Sequence, residues 1–205
     1  LKQFLNLLWL RPENGLFTTF KSLAIENHSI KNTSLDISCG DGLFMFLHLG
    51  GKISENFDYF SSTKAIDFSH SEFIDIYDCF DTSYSVPIIK KPNQTIDYGL
   101  DWKQNLLDKS SKLNLYENLI LQDTNITPFP LSQNSFDTIY SNSLYWVKQP
   151  ENVLTETFRL LKPGGRIILE VATPFLLQTL NKLESILSPN AISILDRKRR
   201  ETVMG

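Results

Sequence analysis

The 205-residue sequence has few of the residue types that indicate a disulfide framework or a metal site. Its two cysteines, Cys39 and Cys79, show no metal-ligand spacing and do not indicate a disulfide framework. No apolar run approaches the roughly 20 residues that a membrane-spanning helix needs. A formal net charge of −3 argues against a broad nucleic-acid-binding surface. We therefore expect a cytoplasmic protein with no membrane partner and no nucleic-acid partner.

The apolar residues alternate between helical and strand periodicities. Residues 1–30 show helical spacing that is interrupted at Pro12, and short strand-like runs follow from residue 34 onward. These runs are 34–37, 95–100, 119–121, 136–140 and 166–171. Because helical patterns lie between the runs, the sequence predicts an α/β fold built from βαβ units. We expect a Rossmann-like, mostly parallel, doubly wound sheet with helices on both faces.

The same patterns divide the chain into an amino-terminal helical cap, residues 1–33, and one α/β domain, residues 34–205. Residues 52–93 break the regular pattern, are rich in aromatic and acidic side chains, and are predicted to be a folded insertion. The helix ahead of this insertion runs away from the edge of the sheet where ligands bind. We therefore expect the insertion to begin at the opposite edge and to form a packing or partner surface rather than a substrate cap.

Polar residues follow the predicted strands at the points where those strands end. In an open parallel sheet, ligands bind at the carboxyl ends of the strands, where the strand order reverses. The first strand contains Asp36 and leads into the turn Ser38-Cys39-Gly40-Asp41-Gly42. Asp101, Asp123 and the pair Ser141-Asn142 follow the next three strands. This set of acids suits a ligand with hydroxyl and amino groups better than a pyrophosphate.

The turn after the first strand lacks the G-x-G-x-x-G spacing of a dinucleotide-binding loop. Gly40 and Gly42 allow a ligand to approach the backbone closely. Asp36 and Asp41 are poorly suited to phosphate, and they favour a cationic ligand group such as an ammonium or a sulfonium. The alternative is an ordinary strand-to-helix turn with no ligand.

Three segments resemble motifs of the class I S-adenosylmethionine (SAM)-dependent methyltransferases, in particular the small-molecule type found in bacteria. Residues 34–42 resemble the family's L-D-x-G-C-G-x-G motif, with Ser38 in the place of its first glycine. Residues 121–142 resemble the D-x-x-x-L-P-F-x-D-x-S-F-D-x-V block. Residues 156–165 resemble the E-x-x-R-V-L-K-P-G-G segment. The resemblance spans about residues 34–171 and implies that SAM is the cofactor.

The resemblance implies a role for each strand-end residue. The turn would hold the cofactor through Asp36, Ser38, Cys39, Gly40 and Gly42. Trp102 would face the adenine, and Asp123 and Thr124 would bind the exocyclic amine of the adenine. Ser141 and Asn142 would line the methionine end of the cofactor. The alternative for Asp123 is a helix or turn cap, and Asp137 is expected to be a structural hydrogen-bonding residue.

Two acids compete for the ribose, which the family binds at the end of the second strand. Asp67 lies in a segment, Ala65-Ile66-Asp67-Phe68-Ser69, that imitates a strand ending. Asp101 precedes Asp123 by the length of one helix and one strand, whereas Asp67 lies much further upstream. Spacing therefore favours Asp101, whose carboxylate can accept both ribose hydroxyls.

The acceptor side of the site is less well marked in the sequence. Arg11 is a candidate for the SAM carboxylate or an anionic substrate, and an ordinary surface arginine is the alternative. Tyr145 and Trp146 are candidates for the acceptor pocket, with a core position as the alternative. No general base can be named. The Asn/Asp-Pro-Pro-Tyr/Phe motif of amide and base methylation is absent, which leaves a small-molecule oxygen, nitrogen or carbon acceptor.

Two other functions remain open from the sequence. One is a methyltransferase-like binding subunit without activity, and the other is a nicotinamide-dependent oxidoreductase on a similar sheet. The family usually completes its sheet with an antiparallel pair of strands that this sequence does not reach. We therefore expect that the native chain continues beyond Gly205.

Overall fold

The computed structural model describes residues 2–9, 12–63, 79–144 and 147–170. In chain order the elements are α1 (Lys2–Leu7), α2 (Pro12–Ile25), β1 (Ser34–Ile37), α3 (Leu43–His48), β2 (Lys52–Ile53), α4 (Tyr59–Ser62), β3 (Ile88–Lys90), β4 (Ile96–Asp101), α5 (Gln104–Ser111), β5 (Tyr116–Leu121), β6 (Phe136–Ser141), α6 (Pro150–Leu160) and β7 (Leu161–Leu169). Pro12 and Pro150 both begin helices, where a missing N–H costs no hydrogen bond.

Five strands form one parallel sheet in the order β5-β4-β1-β6-β7. The chain first builds outward from β1 through β4 to β5, and then returns to the other side of β1 with β6 and β7. This reversal puts the switch point between β1 and β6, where the fold opens a crevice at the carboxyl ends of the strands. The predicted α/β class and parallel doubly wound sheet are confirmed.

Two apolar clusters cover the two faces of the sheet. On one face, Leu43 and Phe46 of α3 pack in a cluster with Ile96 and Leu115. On the other face, Leu35 and Ile37 of β1 pack with several residues that include two from α6, Val153 and Leu160. Leu35 and Ile37, two residues apart in β1, thus share one face of the sheet, as strand geometry requires. Helices therefore lie on both faces, as predicted.

The insertion is closed at its base by a short antiparallel pair, β2 with β3, in which Lys52 pairs with Lys90 and Ile53 with Ile88. Its aromatic residues Phe57, Tyr59 and Phe60 are buried in the same cluster as α3. The described part of the insertion is therefore folded onto the domain, as its composition predicts.

The predicted turn at Lys162-Pro163-Gly164-Gly165 is a bulge near the start of β7. Phe136 pairs with Leu161 and Thr138 pairs with Arg166, so β7 has extra residues between two rungs of the ladder. Gly164 has a φ of 78°, which a glycine adopts without strain. Lys162 then reaches Asp137, whose carboxylate also accepts a hydrogen bond from the Thr33 backbone N–H. Asp137 is thus a structural residue, as expected.

Within the described residues, no helix has the length and apolar character that a membrane span requires. The expected helix after Pro174 and the carboxyl-terminal end of the chain lie outside the described residues.

Candidate functional site

The turn after β1 holds three residues in left-handed backbone conformations. The φ angles of Ser38, Gly40 and Gly42 are 60°, 59° and 76°. Ser38 therefore keeps the turn that the family's glycine makes, at a cost on the order of 1 kcal/mol. A Cβ atom on Gly42 would lie 2.7 Å from the Ser110 Oγ and 3.0 Å from the Tyr116 ring, so that position has no room for a side chain.

Asp101 lies directly against this turn. Its Oδ2 accepts a hydrogen bond from the Gly40 N–H at 3.0 Å, and its Oδ1 accepts one from the Lys103 N–H at 2.9 Å. The side chain is buried, and desolvation raises the pKa of the carboxyl although these hydrogen bonds oppose the shift. The structure therefore brings together the end of β4 and the glycine turn. Asp67, the competing ribose acid, lies outside the described residues.

Asp36 lies behind the turn, in the middle of the sheet. Its Oδ2 accepts a short hydrogen bond of 2.6 Å from the Tyr116 hydroxyl, and its Oδ1 is buried without a hydrogen-bond partner. Desolvation raises the pKa of Asp36 to about 7, with a smaller increase from nearby Asp101 and an opposing effect of the Tyr116 hydrogen bond. Cys39, between the two acids, has a thiol pKa raised first by burial and then by these carboxyls.

Tyr116 is a site residue that the sequence analysis missed. It belongs to β5, two strands away from β1, and its ring passes over Gly99 of β4 to reach Asp36. A Cβ atom on Gly99 would lie 2.8 Å from this ring. The only signal in the sequence is a glycine inside a strand, which indicates a close approach without naming the partner.

Asp123 and Trp102 lie at the ends of two adjacent strands. The Gln122 N–H donates to the Asp101 carbonyl, which keeps the two strand ends together. The Asp123 Oδ1 accepts hydrogen bonds from the backbone and side-chain nitrogens of Asn125, at 2.8 and 2.9 Å. Asp123 therefore does cap a turn, which was the alternative interpretation. Its role toward adenine stays a prediction, as does the role of Thr124, which is buried beside it.

Trp102 is half exposed, at 50%, at the rim of the site. The Lys103 ammonium lies 5.0 Å from the centre of that ring, within the range of a cation–π contact. An exposed aromatic face next to Asp101 fits the predicted position for adenine.

The β6 end supplies the last predicted residues. Ser141 is buried next to Ile37 of β1, and its carbonyl accepts from the Glu170 N–H. Asn142 follows it at the same edge. The three predicted acceptor-side residues, Arg11, Tyr145 and Trp146, lie outside the described residues.

A cavity of about 380 Å³ adjoins the turn. Gly40 and Asp41 form one wall, and the others come from α1, α2, α3, α5 and Tyr59. The amino-terminal helices thus lie at the edge expected for a cap. Tyr59, which belongs to the insertion, also lines this cavity, so part of the insertion reaches the turn. Its role as a packing or partner surface rather than a substrate cap stays a prediction.

Tyr59 is held there by a buried lysine. The Lys109 ammonium donates to the Tyr59 hydroxyl at 3.1 Å and lies 5.1 Å from the centre of its ring. Lys109 is fully buried in α5, a costly place for a lysine without polar partners. Helix α5 therefore fixes the insertion against the cavity.

The geometry fits a ligand that carries positive charge. Two buried acids, Asp36 and Asp101, lie beside a turn with close backbone approach, and in the described part of the chain no ion pair involves either acid. Burial raises the pKa of both carboxyls, so an incoming cation would stabilise their charged forms. The sulfonium and ammonium of SAM match that requirement.

Part of the chain is similar to known methyltransferases. Residues 87–169 match the profile of a methyltransferase domain family. A ubiquinone/menaquinone biosynthesis C-methyltransferase from Desulfotalea psychrophila is 30% identical over 77 residues, which are 37% of this chain and 31% of that protein. The match thus spans about a third of the relative's length.

Solved structures share the fold. A SAM-dependent methyltransferase from Thermotoga maritima aligns with 97% of this chain and 78% of its own, at 16% identity and a TM-score of 0.50. A putative SAM-dependent methyltransferase from Methanococcus maripaludis aligns with 75% of this chain and 55% of its own, at 16% identity and a TM-score of 0.44. The chain thus shares the fold of the Thermotoga maritima structure, and its residues 87–169 match a methyltransferase domain family.

Proposed function

We propose that this chain transfers the methyl group of SAM to an oxygen, nitrogen or carbon atom of a small-molecule acceptor. The observation that carries the proposal is the contact between Asp101 and Gly40, which joins an acid at the end of β4 to the glycine turn after β1. This is where a ribose-binding acid and a methionine-binding turn must meet if one ligand spans both. The matched methyltransferase profile supports the same assignment.

In this proposal each strand end binds a different part of the cofactor. Asp101 accepts hydrogen bonds from the ribose hydroxyls, and Trp102 lies against the adenine. Asp123 and Thr124 bind the adenine amine. The turn residues, with Asp36 behind them, take the methionine portion together with Ser141 and Asn142. Arg11, Tyr145 and Trp146 stay predicted residues of the acceptor side.

The cofactor, held by the turn and the strand ends, would supply an electrophilic methyl group whose transfer to the acceptor would leave a neutral thioether. The chain itself needs to position the two reactants and exclude water. Holding them in near-attack geometry supplies roughly 7–11 kcal/mol of the barrier. The flank formed by α1, α2 and Tyr59 lies where it can cover the reacting pair. An acceptor hydroxyl or amine loses its proton to solvent or to a base.

The first test is SAM binding to wild-type protein and to two matched variants. Asp101→Ala should weaken binding by tenfold to a hundredfold, about 1.4–2.8 kcal/mol, because hydrogen bonds to a charged group are lost. Asp67→Ala should change the dissociation constant by less than about twofold, since spacing favours Asp101 over Asp67 as the ribose acid. Isothermal titration calorimetry measures both, with a thermal melt to confirm folding. A larger effect at Asp67 would move the ribose site to the insertion.

The second test separates an enzyme from a binding subunit. The backbone strain at Ser38, where the family has glycine, is the observation that favours the non-catalytic alternative. Labelled SAM incubated with a panel of phenols, amines and activated carbon acids should label at least one class. Tight SAM binding without transfer to any acceptor would favour the binding subunit. Binding of NADH without binding of SAM would instead support an oxidoreductase.

A further inference from the structure

Asp36 is a buried acid that no basic side chain neutralises in the described part of the chain. It is 3% exposed, and its Oδ1 has no hydrogen-bond partner. Helix α5, which packs against β5, carries the buried cation Lys109, whose ammonium contacts Tyr59. The titratable groups that act on Asp36 or on its hydrogen-bond partner are acidic or neutral: Asp101 of β4, Cys39 and, beyond it, Asp41 of the turn, Tyr116 of β5 and Tyr140 of β6. None of these groups carries positive charge, so a cation beside Asp36 would come from a ligand.

This environment leaves the Asp36 carboxyl partly protonated near neutral pH. Burial raises its pKa to about 7, Asp101 adds to the increase, and the Tyr116 hydrogen bond lowers it. A cation that arrives nearby favours the ionised form, because opposite charges stabilise each other in a dry site. Ligand charge and proton occupancy are therefore coupled at this residue.

Tyr116 has a fixed position relative to both the acid and the turn. Its ring lies 3.0 Å from the place of a Gly42 Cβ and 2.8 Å from that of a Gly99 Cβ. The ring thus fills the space that two glycines leave open, and its hydroxyl donates to Asp36 at 2.6 Å. Nothing larger than hydrogen at those two positions would leave room for this contact.

We propose that binding of SAM at the turn releases the proton of Asp36 to solvent, and that Tyr116 is the positioning residue that sets the pH range of this exchange. The proposal rests on the proposed function, since it takes SAM as the ligand. One O–H bond of the carboxyl breaks, the proton passes to buffer, and the carboxylate that remains balances charge on the cofactor. No other reactant is needed.

The first experiment counts protons. Calorimetric titrations of SAM in buffers with different ionisation enthalpies should show release of a fraction of a proton per SAM, and this fraction should be larger at pH 6 than at pH 7.5. The contribution of Asp36 should fall towards zero by about pH 9, where the α-amine of SAM takes up a proton on binding. S-adenosylhomocysteine, which lacks the sulfonium charge, should release fewer protons. Binding of SAM that is independent of buffer from pH 6 to 7.5 would overturn the proposal.

Asp101 also has a raised pKa and could be a second source of protons. The variant Asp36→Asn distinguishes the two acids, because it keeps the shape of the side chain and removes the titrating group. Below pH 7, where the α-amine of SAM is already almost fully protonated, the SAM binding that this variant retains should show no buffer dependence. Proton release that persists in Asp36→Asn would assign the exchange to Asp101 and overturn the role of Asp36.

The second experiment tests Tyr116. Tyr116→Phe removes the hydrogen bond that stabilises the carboxylate, so the pH range of proton release should move upward by about 1 unit. Tyr98→Phe is the matched control, because Tyr98 packs edge-on against Phe136 on the other face of the sheet. A ¹³C NMR titration of Asp36 in the ligand-free protein should show the same upward shift. If proton release in Tyr116→Phe has the same pH dependence as in wild type, Tyr116 does not set the pH range and that part of the proposal is wrong.

The outcomes separate this inference from the proposed function. If wild-type protein binds SAM without releasing a proton, only the inference fails. If it does not bind SAM at all, the proposed function fails and the inference with it.

Discussion

Two regions of the molecule meet at Gly40 and Asp41 but are held together by different kinds of contact. The strand-end site, formed by residues 36–42, 101–102, 123–124 and 141–142, depends on hydrogen bonds and register within the parallel sheet. The helical flank, formed by α1, α2 and residues 52–63, depends on side chains about 50 residues apart, such as Trp9 with Asp58 and Tyr59 with Lys109. The sheet thus positions the polar residues of the proposed ligand site, whereas the flank supplies the side chains that line the adjoining cavity.

The largest expected effect lies in the flank. Tyr59→Ala should lower the free energy of unfolding by about 3–5 kcal/mol, because a fully buried aromatic side chain is lost and a cavity remains. Urea unfolding followed by fluorescence measures the loss. The control Tyr59→Phe removes only the hydroxyl that Lys109 contacts and should cost about 1 kcal/mol. If Tyr59→Ala left the free energy of unfolding unchanged, the packing of the flank would not contribute to the stability of the domain. The two regions would then not differ in the way described above.

Within the strand-end site, two glycines of one turn should respond differently to the same change. Gly42→Ala should cost about 2–4 kcal/mol of unfolding free energy, because it combines left-handed strain with a clash against Ser110 and Tyr116. Gly40→Ala should cost about 1–2 kcal/mol, since its Cβ would meet no atom within 4 Å. Thermal unfolding of both variants gives the difference. Equal losses would show that backbone strain alone governs the turn.

The smallest of the three effects appears as a dependence on pH. The folded-state pKa of Asp36 is raised from 3.8 to about 7, so the folded state binds this proton more tightly than the unfolded state. Asp36 therefore makes the protein less stable as the pH rises from about 4 to 7, with no further change above that. Asp36→Asn should become more stable relative to wild type over that range, by about 2–3 kcal/mol between pH 5 and pH 8. Chemical unfolding of both proteins at pH 5 and pH 8 measures this change. A stability difference between variant and wild type that is the same at both pH values would contradict the raised pKa of Asp36.

The sequence predicts the strand-end site better than the flank for a physical reason. Strand runs and the residues after them are defined by neighbours along the chain, so the sequence alone assigns Asp101 and Gly40 to one edge of the sheet. The contact of Tyr116 with Asp36 crosses an intervening strand, and no periodicity reveals it. The position of Tyr59 depends on the path of the insertion, which the break in pattern at residues 52–93 marks but does not describe.

Gly99 has a consequence for interpreting tolerance to mutation at this site. It has no place in the predicted ligand contacts, yet a methyl group there would meet the Tyr116 ring, the Cys39 sulfur and Leu119, all within 3.0 Å. A mutational scan will therefore find position 99 as intolerant as the turn glycines. Intolerance at Gly99 would reflect the close packing of side chains from neighbouring strands. A map that equates sensitivity to mutation with ligand contact would therefore wrongly include Gly99 in the proposed cofactor site.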